Sequence, residues 1–495
     1  MGPGFGYVLL LALLPQLILA GVALVCALVA ALRPGERPDL FRWLACIGLA
    51  GAVAACGFDV YGMRLNRNHI ALQLWNGGLS VDHFSLFVTV TVCVFAFITC
   101  LVSDTYLRRI PSRSGGFFAL VLLATAGVSA VASEHEIIAL FVSLQLVLLA
   151  LVGIAAVVKT EEESGAVAWR TLADGAIASA LLLYGLAVLY GISGSDGLGA
   201  LTAAQGRAPA LSAVGIALVL AGMTFFAGLF PLRRWLVSCV DLLQAAPAGF
   251  VVTMGTTAGA VALLRFGPGG VGGANAVWAW LTSVVALIGM THAALRALRA
   301  VRVRELAAAM VSGQSALLVL SLLASGTGAS GAAAQGSAAF LFALAVFGLG
   351  TLATFATVAM VQNAGLRDSV AGFRGLAHRS PGVAVLLSFA LATLAGVPPL
   401  GGFIARLFIV TSAVDAGYGW LAVVSVAASA LAAVPAVRLI AAMYAEPGDE
   451  LPFTLAATPR LGRMAATFCC LSAFFLTVLA QPLLLLARAG AGPIP

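Results

Sequence analysis

Residues 394–406 of the chain read Leu-Ala-Gly-Val-Pro-Pro-Leu-Gly-Gly-Phe-Ile-Ala-Arg, in the middle of a long apolar run. Five helix-breaking residues interrupt the run: Gly396, Pro398, Pro399, Gly401 and Gly402. Proline has no N–H to give to a helix, and glycine loosens the backbone. In a bilayer such a break survives only against protein or a water-filled cavity. Because a charge at membrane depth is expensive, Arg406 just past the break marks a functional site. The stretch therefore predicts a discontinuous transmembrane helix that faces an ion path.

The composition indicates an all-α integral membrane protein. Of 495 residues, 62% are hydrophobic and 9% are charged, whereas soluble domains carry roughly 25% charged residues. At about 20 apolar residues per span, the sequence predicts about fourteen transmembrane helices and leaves no room for a soluble domain. The first apolar segment lacks a basic region before it and a clear cleavage site. We therefore interpret it as a retained span and not as a signal peptide.

The placement of basic residues predicts the orientation. With the N-terminus outside, the connections from odd to even spans hold 20 of the 26 Lys and Arg residues. The opposite side holds five: Arg64, Arg67, Arg207, Arg265 and Arg488. Such a bias puts the basic loops in the cytoplasm and both termini outside. The formal charge of +7 then reflects topology and contact with the bilayer, and no basic stripe interleaved with aromatic residues indicates nucleic acid.

The sequence contains no motif for a metal, a nucleotide or a redox centre. The eight cysteines show no Cys-X-X-Cys pair, and the five histidines are isolated. His292, within the ninth predicted span, fits a core histidine better than a ligand. There is no phosphate loop, no Gly-X-Gly-X-X-Gly after a strand, and no nucleophile elbow. We expect no cofactor in this chain.

Several stretches closely resemble the family of antiporter-like membrane subunits. The family includes three membrane-arm subunits of respiratory complex I and the large subunits of Mrp-type cation/proton antiporters. The matching stretches are 143–146, 169–185, 225–247, 299–314, 375–381 and 394–406. The resemblance spans roughly residues 80–445. It is best to the subunit-N branch of bacterial NADH:quinone oxidoreductase. The lack of a long C-terminal lateral helix argues against the subunit-L branch, and the subunit-M branch stays open.

The resemblance implies two inverted five-helix repeats, each with one broken helix. The residues support this independently, because Pro231 and the pair Pro398–Pro399 interrupt apolar runs at corresponding places in two halves. We expect a single polytopic domain over residues 1–495, with discontinuous helices 7 and 12. Its expected parts are N-terminal helices over 1–110, repeats over 115–265 and 275–445, and a C-terminal helix over 460–495.

The resemblance also implies a location and partners. The chain would be a multi-pass subunit in the bacterial inner membrane, beside other membrane-arm subunits of a complex I-like assembly. Quinone, FMN and iron–sulfur clusters would belong to partner subunits only. Its function would be to carry or couple proton translocation. Two alternatives remain: a proton-incompetent scaffold subunit of that complex, and a component of an Mrp-like cation/proton antiporter.

The sequence departs from the family at the proton path, which in the family resembles a string of buried lysines and one glutamate. The glutamate position reads Gln145 and the lysine positions read Arg170, Phe226, Thr256 and Arg406, while a histidine position reads Arg233. If the gap in the alignment with the family is placed elsewhere, the lysine position assigned to Phe226 falls on Leu229. Arginine keeps its proton under essentially any condition in a protein. The titratable relay is therefore mostly absent, and Lys159, the single lysine, lies in a loop.

The remaining candidate residues each have a structural alternative. Asp174 follows Arg170 by four positions, so the two share a helix face. They form either a neutral pair that eases insertion or an altered charge site. Asp241 either pairs with Arg233 or Arg234 or takes part in proton transfer. The other candidates are Arg304, in the basic loop before the tenth span, and Glu134 and Glu136, which we expect to be solvated at the outer end of the fifth span.

Overall fold

The computed structural model describes residues 13–33, 37–65, 72–74, 78–157, 162–272, 275–325, 330–363, 368–446 and 460–478. The α-helices in this part are α1 (Leu14–Leu32), α2 (Pro38–Leu65), α3 (His83–Val102), α4 (Asp104–Leu107), α5 (Ser114–Ser133), α6 (Ile137–Val157), α7 (Glu162–Ser193), α8 (Leu201–Ala204), α9 (Pro209–Phe226), α10 (Arg234–Leu242), α11 (Ala245–Phe266), α12 (Ala276–Leu298), α13 (Val303–Ser325), α14 (Ser330–Asn363), α15 (Leu376–Arg379), α16 (Pro381–Ala395), α17 (Gly401–Asp415), α18 (Gly419–Tyr444) and α19 (Arg460–Val478). Strands β1 (Leu72–Leu74) and β2 (Leu79–Val81) form one antiparallel pair before α3.

Local chemistry explains where several helices begin. Asp82 accepts a hydrogen bond from the backbone N–H of Ser85, and the Ser85 side chain accepts one from the Asp82 backbone, which forms a capping box for α3. Helices α9 and α16 start at Pro209 and Pro381. Proline is well suited to the first helical position, because its missing N–H would have no partner there.

The membrane character of the fold is confirmed. Twelve helical segments in the described part of the chain are long and apolar enough to cross a bilayer. The other two predicted spans hold shorter apolar segments: α16 followed by α17 in the twelfth, and Gly462–Leu476 of α19 in the fourteenth. The total of fourteen crossings therefore stays a prediction. Both chain termini lie outside the described residues, as do Arg67 and Arg488, so the external location of the termini also stays a prediction.

Burial orders the helices into a centre and a periphery. The apolar windows of α11 and α14 are entirely buried and that of α13 almost entirely, whereas α1 and α18 expose most of theirs. Helix α14 packs against both α11 and α13, so these three helices form the axis of the molecule. Helices α5 to α11 fall within the predicted first repeat and α12 to α18 within the predicted second, whose exact boundaries remain predictions.

The two predicted helix breaks are both present. In the first, α9 ends at Phe226 and α10 begins at Arg234, with Pro231 exposed between them. In the second, α16 ends at Ala395 and α17 begins at Gly401. Because proline has no N–H, the exposed prolines at 231, 398 and 399 leave fewer unpaired donors at the breaks.

Two glycines allow the tight chain path at the second break. Gly396 ends α16 with φ +76°, a left-handed conformation that favours glycine. A Cβ added at Gly402 would lie 1.7 Å from the carbonyl oxygen of Thr393, so any side chain there would collide with the end of α16. Both segments of the broken helix can therefore approach each other closely.

Candidate ion path at the two helix breaks

Arg406 lies across the second break. The side chain is partly buried, and its Nη2 donates to the carbonyl of Leu394 in the last turn of α16. The carbonyl groups at a helix end have no partner within the helix and carry partial negative charge, so a guanidinium is well placed there. The Nε and Nη1 atoms of Arg406 are shielded from the surface and have no hydrogen-bond partner among the described residues. The break thus holds a charge with unused donors.

A small cavity adjoins this guanidinium. It has a volume of about 20 Å³ and is lined by Met290, Ala293, Ala294, Ala309, Met310, Gly313, Gln314, Leu317, Leu394, Arg406, Ala428, Ser429 and Ala432. That volume has room for about one water molecule. Gln314 is 4% exposed and donates from Nε2 to the Leu394 carbonyl at 2.6 Å, so it shares an acceptor with Arg406.

A second cavity lies on the other side of Gln314, between α11, α13 and α14. It also measures about 20 Å³, and its polar lining consists of Thr253, Thr256, Thr257, Gln314, Ser315 and Thr351. Thr256 donates to the carbonyls of Val252 and Thr253, one turn back in its own helix. The side-chain oxygens of Thr253 and Gln314 are buried without a partner among the described residues. Gln314 therefore lines two small cavities, a mostly apolar one beside Arg406 and one with several threonines in its wall. We did not single it out from the sequence, where it is only the end of a family-like stretch.

The first break is apolar where the second is charged. Trp235, the second residue of α10, donates its indole N–H to the Phe225 carbonyl at 2.6 Å. Phe226 is 2% exposed and its ring lies edge-on to Phe225 at 5.3 Å. The adjoining cavity measures about 10 Å³ and is lined by Leu148, Leu151, Thr171, Phe225, Phe226, Trp235 and Gly255. This volume is at the lower limit for a water molecule, and its lining is almost wholly apolar.

The two breaks are therefore similar in connectivity and opposite in chemistry. Phe225 and Leu394 are each the penultimate residue of the first segment, and a side chain from the second segment donates to the carbonyl of each. In the first half the donor is a neutral indole inside an aromatic cluster. In the second half it is a guanidinium beside a cavity that Gln314 and Ser429 line together with apolar side chains.

The positions related to the family's first-half relay remain separate. Gln145 accepts a hydrogen bond from Ser179 at 3.0 Å, and its amide nitrogen is buried without a partner among the described residues. Arg170 is exposed on α7 and Asp174 is half-buried. None of the described ion pairs joins Arg170 to Asp174, so their expected contact, direct or through a shared water molecule, stays a prediction.

Asp241 and Arg304 belong to an ion network beside the start of α13. Asp241 pairs with Arg302 at 3.0 Å, so of the two alternatives for Asp241 the pairing with Arg233 or Arg234 is wrong, and a role in proton transfer stays a prediction. The reason is geometric: Asp241 lies at the far end of α10, about two turns beyond Arg234. Arg304 pairs with Asp368 at 2.6 Å and donates to the Leu243 carbonyl at 3.0 Å. Both residues join the two halves of the molecule, and neither lies at a helix break.

His292 lies beside the first break. Arg233 is 6% exposed, and its Nη1 donates to Nδ1 of His292 at 3.3 Å. The ring of Phe230 lies 4.8 Å from the imidazole ring. Since arginine can only donate, Nδ1 of His292 is the acceptor, and the imidazole is neutral in this arrangement. His292 is thus half-exposed and in contact with the break, in contrast to the core histidine that we expected.

A buried ion pair near the predicted outer surface was missed by the sequence analysis. Arg265 is 1% exposed, and its Nη2 lies 2.8 and 2.9 Å from the two carboxylate oxygens of Asp82. It also donates to the Ala132 carbonyl at 2.7 Å, lies 3.3 Å from the His135 ring, and stacks over Phe84. The capping box at Asp82 was the available signal, although nothing in the sequence linked it to Arg265.

Glu134 is less solvated than we expected. The side chain is partly buried between α5 and α6, and it accepts from the Ser143 hydroxyl at 3.5 Å. Burial, aided by repulsion from Glu136, raises the pKa of Glu134 to about 7, although Ser143 and Arg265 oppose the shift. Within the described ranges, no group of three or more His, Cys, Asp or Glu side chains is arranged to hold a metal ion.

Comparisons with known proteins agree with this architecture. Residues 135–432 match the family described as NADH:quinone oxidoreductase/Mrp antiporter, TM. NADH-quinone oxidoreductase subunit N 2 of Roseiflexus castenholzii is 30% identical over 464 residues, which cover 91% of this chain and 90% of that protein. A chain of respiratory complex I from Thermus thermophilus with bound aureothin superposes with a TM-score of 0.78 at 25% identity, covering 96% of this chain and 99% of that one.

A chain of the Mrp complex from Dietzia sp. superposes with a TM-score of 0.82 at 21% identity, covering 97% of both chains. This similarity extends the fold to antiporter complexes. The match over more than half of the chain, together with the broken helices at both predicted places, establishes that the chain belongs to the transmembrane family of NADH:quinone oxidoreductase and Mrp antiporter subunits.

Proposed function

We propose that this chain is a membrane-arm, antiporter-like subunit of a complex I-like NADH:quinone oxidoreductase in a bacterial inner membrane. The name and nearly full coverage of the Roseiflexus castenholzii relative support this assignment. The twelve long apolar helices fit a multi-pass subunit that works beside other membrane subunits. Electron transfer would take place in those partners, where quinone, FMN and iron–sulfur clusters would be bound.

The second half of the subunit would carry the active part of the proton path. One observation bears this proposal: at the second break a guanidinium with two unused, shielded nitrogens lies beside a small cavity, mostly apolar, that Gln314 and Ser429 also line. Gln314 borders that cavity and the threonine-lined one beside α11 and α14. Together these groups could support a chain of water molecules across the centre of the bundle.

Arg406 would act as a fixed charge and not as a proton carrier. A relay group must gain and lose a proton near neutral pH, whereas a guanidinium stays protonated. A fixed positive charge repels excess protons and orients nearby water dipoles. Movement of Arg406 away from the Leu394 carbonyl would therefore change the electrostatic barrier to protons along the hydrated path.

The first half would be closed to protons. Phe225, Phe226 and Trp235 form an aromatic cluster where the family has a lysine, and the cavity beside it barely admits one water molecule. Gln145 cannot ionise, and Arg170 faces away from the bundle interior. With its proton path closed, the first half of the subunit would transmit conformational movement along the membrane arm.

The proton-to-electron ratio of the purified, vesicle-reconstituted complex tests this proposal. We expect Arg406→Gln to lower the ratio, while Arg438→Gln, which changes an exposed arginine in the same half, leaves it unchanged. Gln145→Glu should not raise the proton-to-electron ratio, because no lysine stands at the other relay positions to exchange a proton with the new carboxylate. An unchanged ratio in an assembled Arg406→Gln complex would instead favour the scaffold function. An increase with Gln145→Glu would contradict the closed first half.

A further inference from the structure

Gln314 lies where the two central cavities come together. The first, here called the arginine cavity, adjoins Arg406, and the second, the threonine cavity, lies between α11, α13 and α14. Among the described residues, Gln314 alone lines both cavities. Its side chain is 4% exposed, so it is enclosed by the bundle. The direct route from one cavity to the other therefore passes this carboxamide.

Buried polar atoms beside both cavities lack a protein partner. Within the described residues these are Nε and Nη1 of Arg406 at the arginine cavity, Oγ1 of Thr253 at the threonine cavity, and Oε1 of Gln314. An unpaired buried polar atom is costly, so such atoms normally bind ordered water. Each cavity measures about 20 Å³, which is room for about one water molecule. We therefore expect one water molecule in each cavity, with Gln314 between them.

A carboxamide joins two water molecules by hydrogen bonds without passing a proton between them. It offers an acceptor oxygen and two N–H donors, and neither the oxygen nor the nitrogen titrates near neutral pH. A group that relays protons must gain and lose one near the operating pH. Water on either side can thus bond to Gln314, but an excess proton cannot cross it. In its observed position Gln314 closes the route between the cavities.

A short hydrogen bond holds Gln314 in this closing position. Its Nε2 donates to the Leu394 carbonyl at 2.6 Å, and Nη2 of Arg406 donates to the same oxygen. A carbonyl oxygen has two lone pairs, so these two donors saturate it. Displacement of one donor changes the bond to the other, which couples Gln314 to Arg406. Since Leu394 lies in the last turn of α16, movement at the second helix break reaches Gln314 directly.

We propose that Gln314 is the gate between the two cavities. It blocks proton transfer while its amide is bonded to the Leu394 carbonyl. It opens the route when the side chain rotates away and the two water molecules bond to each other. The proposal rests on the proposed function, because it takes the second half of the subunit as the proton path. It adds the residue that interrupts this path and the contact that regulates it.

Two substitutions with different expected effects test the gate in the vesicle-reconstituted complex. Gln314→Ala removes the carboxamide and joins the cavities. A proton gradient imposed on the resting complex should then decay roughly five- to tenfold faster, which is the factor that one net hydrogen bond supplies. Gln314→Leu fills the space with a side chain that binds no water. Its gradient should decay as in the native complex, while its proton-to-electron ratio should fall by the whole contribution of this subunit.

Ser321→Ala is the matched control for both variants. Ser321 is a fully buried polar residue of the same helix, and its hydroxyl donates to the Leu318 carbonyl within α13. The gradient decay and the proton-to-electron ratio should both stay at the native values in this variant. A loss of either quantity in Ser321→Ala would mean that any buried polar group of α13 has the same effect, and would overturn the specific role of Gln314.

A purely structural role predicts the same change from both variants, because each removes the bond to Leu394. Equal leakage from Gln314→Ala and Gln314→Leu, or native tightness of Gln314→Ala, would overturn the gate. A native ratio in Gln314→Leu would overturn it as well. The Arg406→Gln ratio is a separate result: a native value there contradicts the proposed function even when the two Gln314 variants behave as expected.

Water positions in the native complex provide a test that needs no variant. A density map that resolves water should show one molecule in each cavity, both within hydrogen-bond distance of Gln314. Two water molecules bonded to each other past Gln314 would show that the route is open in the resting complex. Cavities without water would show that no chain of water reaches Gln314. Either result would overturn the gate.

Discussion

Trp235 donates its indole N–H to the carbonyl of Phe225 at 2.6 Å, and this bond joins the two segments of the first broken helix. Trp235 is 2% exposed and also contacts the Phe225 ring, with centroids 5.8 Å apart. Arg406 makes the corresponding bond to Leu394 in the second half. In both halves a side chain donates to a carbonyl at the end of the first helix segment. The donor is a neutral indole in the first half and a charged guanidinium in the second.

Trp235→Phe should lower stability by about 0.5–1.5 kcal/mol, because the Phe225 carbonyl would lose its side-chain donor but keep the backbone N–H of Gly228 at 3.0 Å. The measurement is thermal unfolding of the purified protein in detergent. Trp169→Phe is the matched control, since Trp169 is 69% exposed. Equal losses from both variants would mean that the Phe225 bond contributes little.

Gly396→Ala should lower the stability of the protein by more than the addition of a single methyl group would suggest. Gly396 has φ +76°, and an added Cβ would lie 1.7 Å from Nη1 of Arg406. The left-handed conformation alone costs about 1–3 kcal/mol for a residue with a side chain. Gly382→Ala in the same helix is the control, because nothing lies within 4 Å of its added Cβ. Similar melting temperatures for the two variants would contradict this account of the break.

Arg265 and Asp82 should show strong coupling in a double-mutant cycle. Removing either partner leaves a buried charge unpaired, and we expect each of Arg265→Met and Asp82→Asn to cost about 3–5 kcal/mol. The double variant should cost much less than the sum of the two. Asparagine preserves the cap on α3, so the cycle isolates the ion pair. Additive losses would show that the two residues act independently.

Glu134 should make stability fall as pH rises. Its pKa is about 7 in the folded protein against a reference value of 4.5, so folding favours the protonated form. Its contribution is complete below pH 4.5 and is lost as pH rises through 7. Glu134→Gln should therefore stabilise the protein above pH 7 by about 1–3 kcal/mol relative to the native chain. The check is the difference in melting temperature between the two proteins from pH 5 to 8. A constant difference across that range would rule out titration of Glu134.

The positive-inside bias predicts that residues 108–113, 296–304 and 367–379 face the cytoplasm. Single cysteines introduced in these loops should resist a membrane-impermeant maleimide in intact cells and react after permeabilisation. The eight native cysteines are all buried, which keeps the background low. Labelling of these loops in intact cells would show that they face outside and would contradict the predicted topology.

The candidate site could be predicted from the sequence only in part. The helix breaks were predictable because proline and glycine act on the backbone at their own positions. Contacts between distant helices were not. Arg233 and Arg234 were the partners weighed for Asp241 against a proton role, whereas its partner Arg302 lies two helices further along the chain, after α12. Gln314 has no distinguishing local pattern, and it gained a role only because α13 packs between the two cavities.

The amino-acid sequence alone determined the membrane class, the family and the two interrupted helices, since hydrophobic run length and backbone-breaking residues act locally. Through the family resemblance it also predicted that arginine, glutamine and phenylalanine occupy the positions of the family's titratable relay. Only the tertiary structure decided which of these residues meet: Arg406 with Leu394 beside a small cavity that Gln314 also lines, Trp235 with Phe225 in an aromatic cluster, and Arg265 with Asp82. The physical reason is that a buried charge or carbonyl is satisfied by whichever donor or acceptor helix packing brings near, and that proximity is set by the whole bundle.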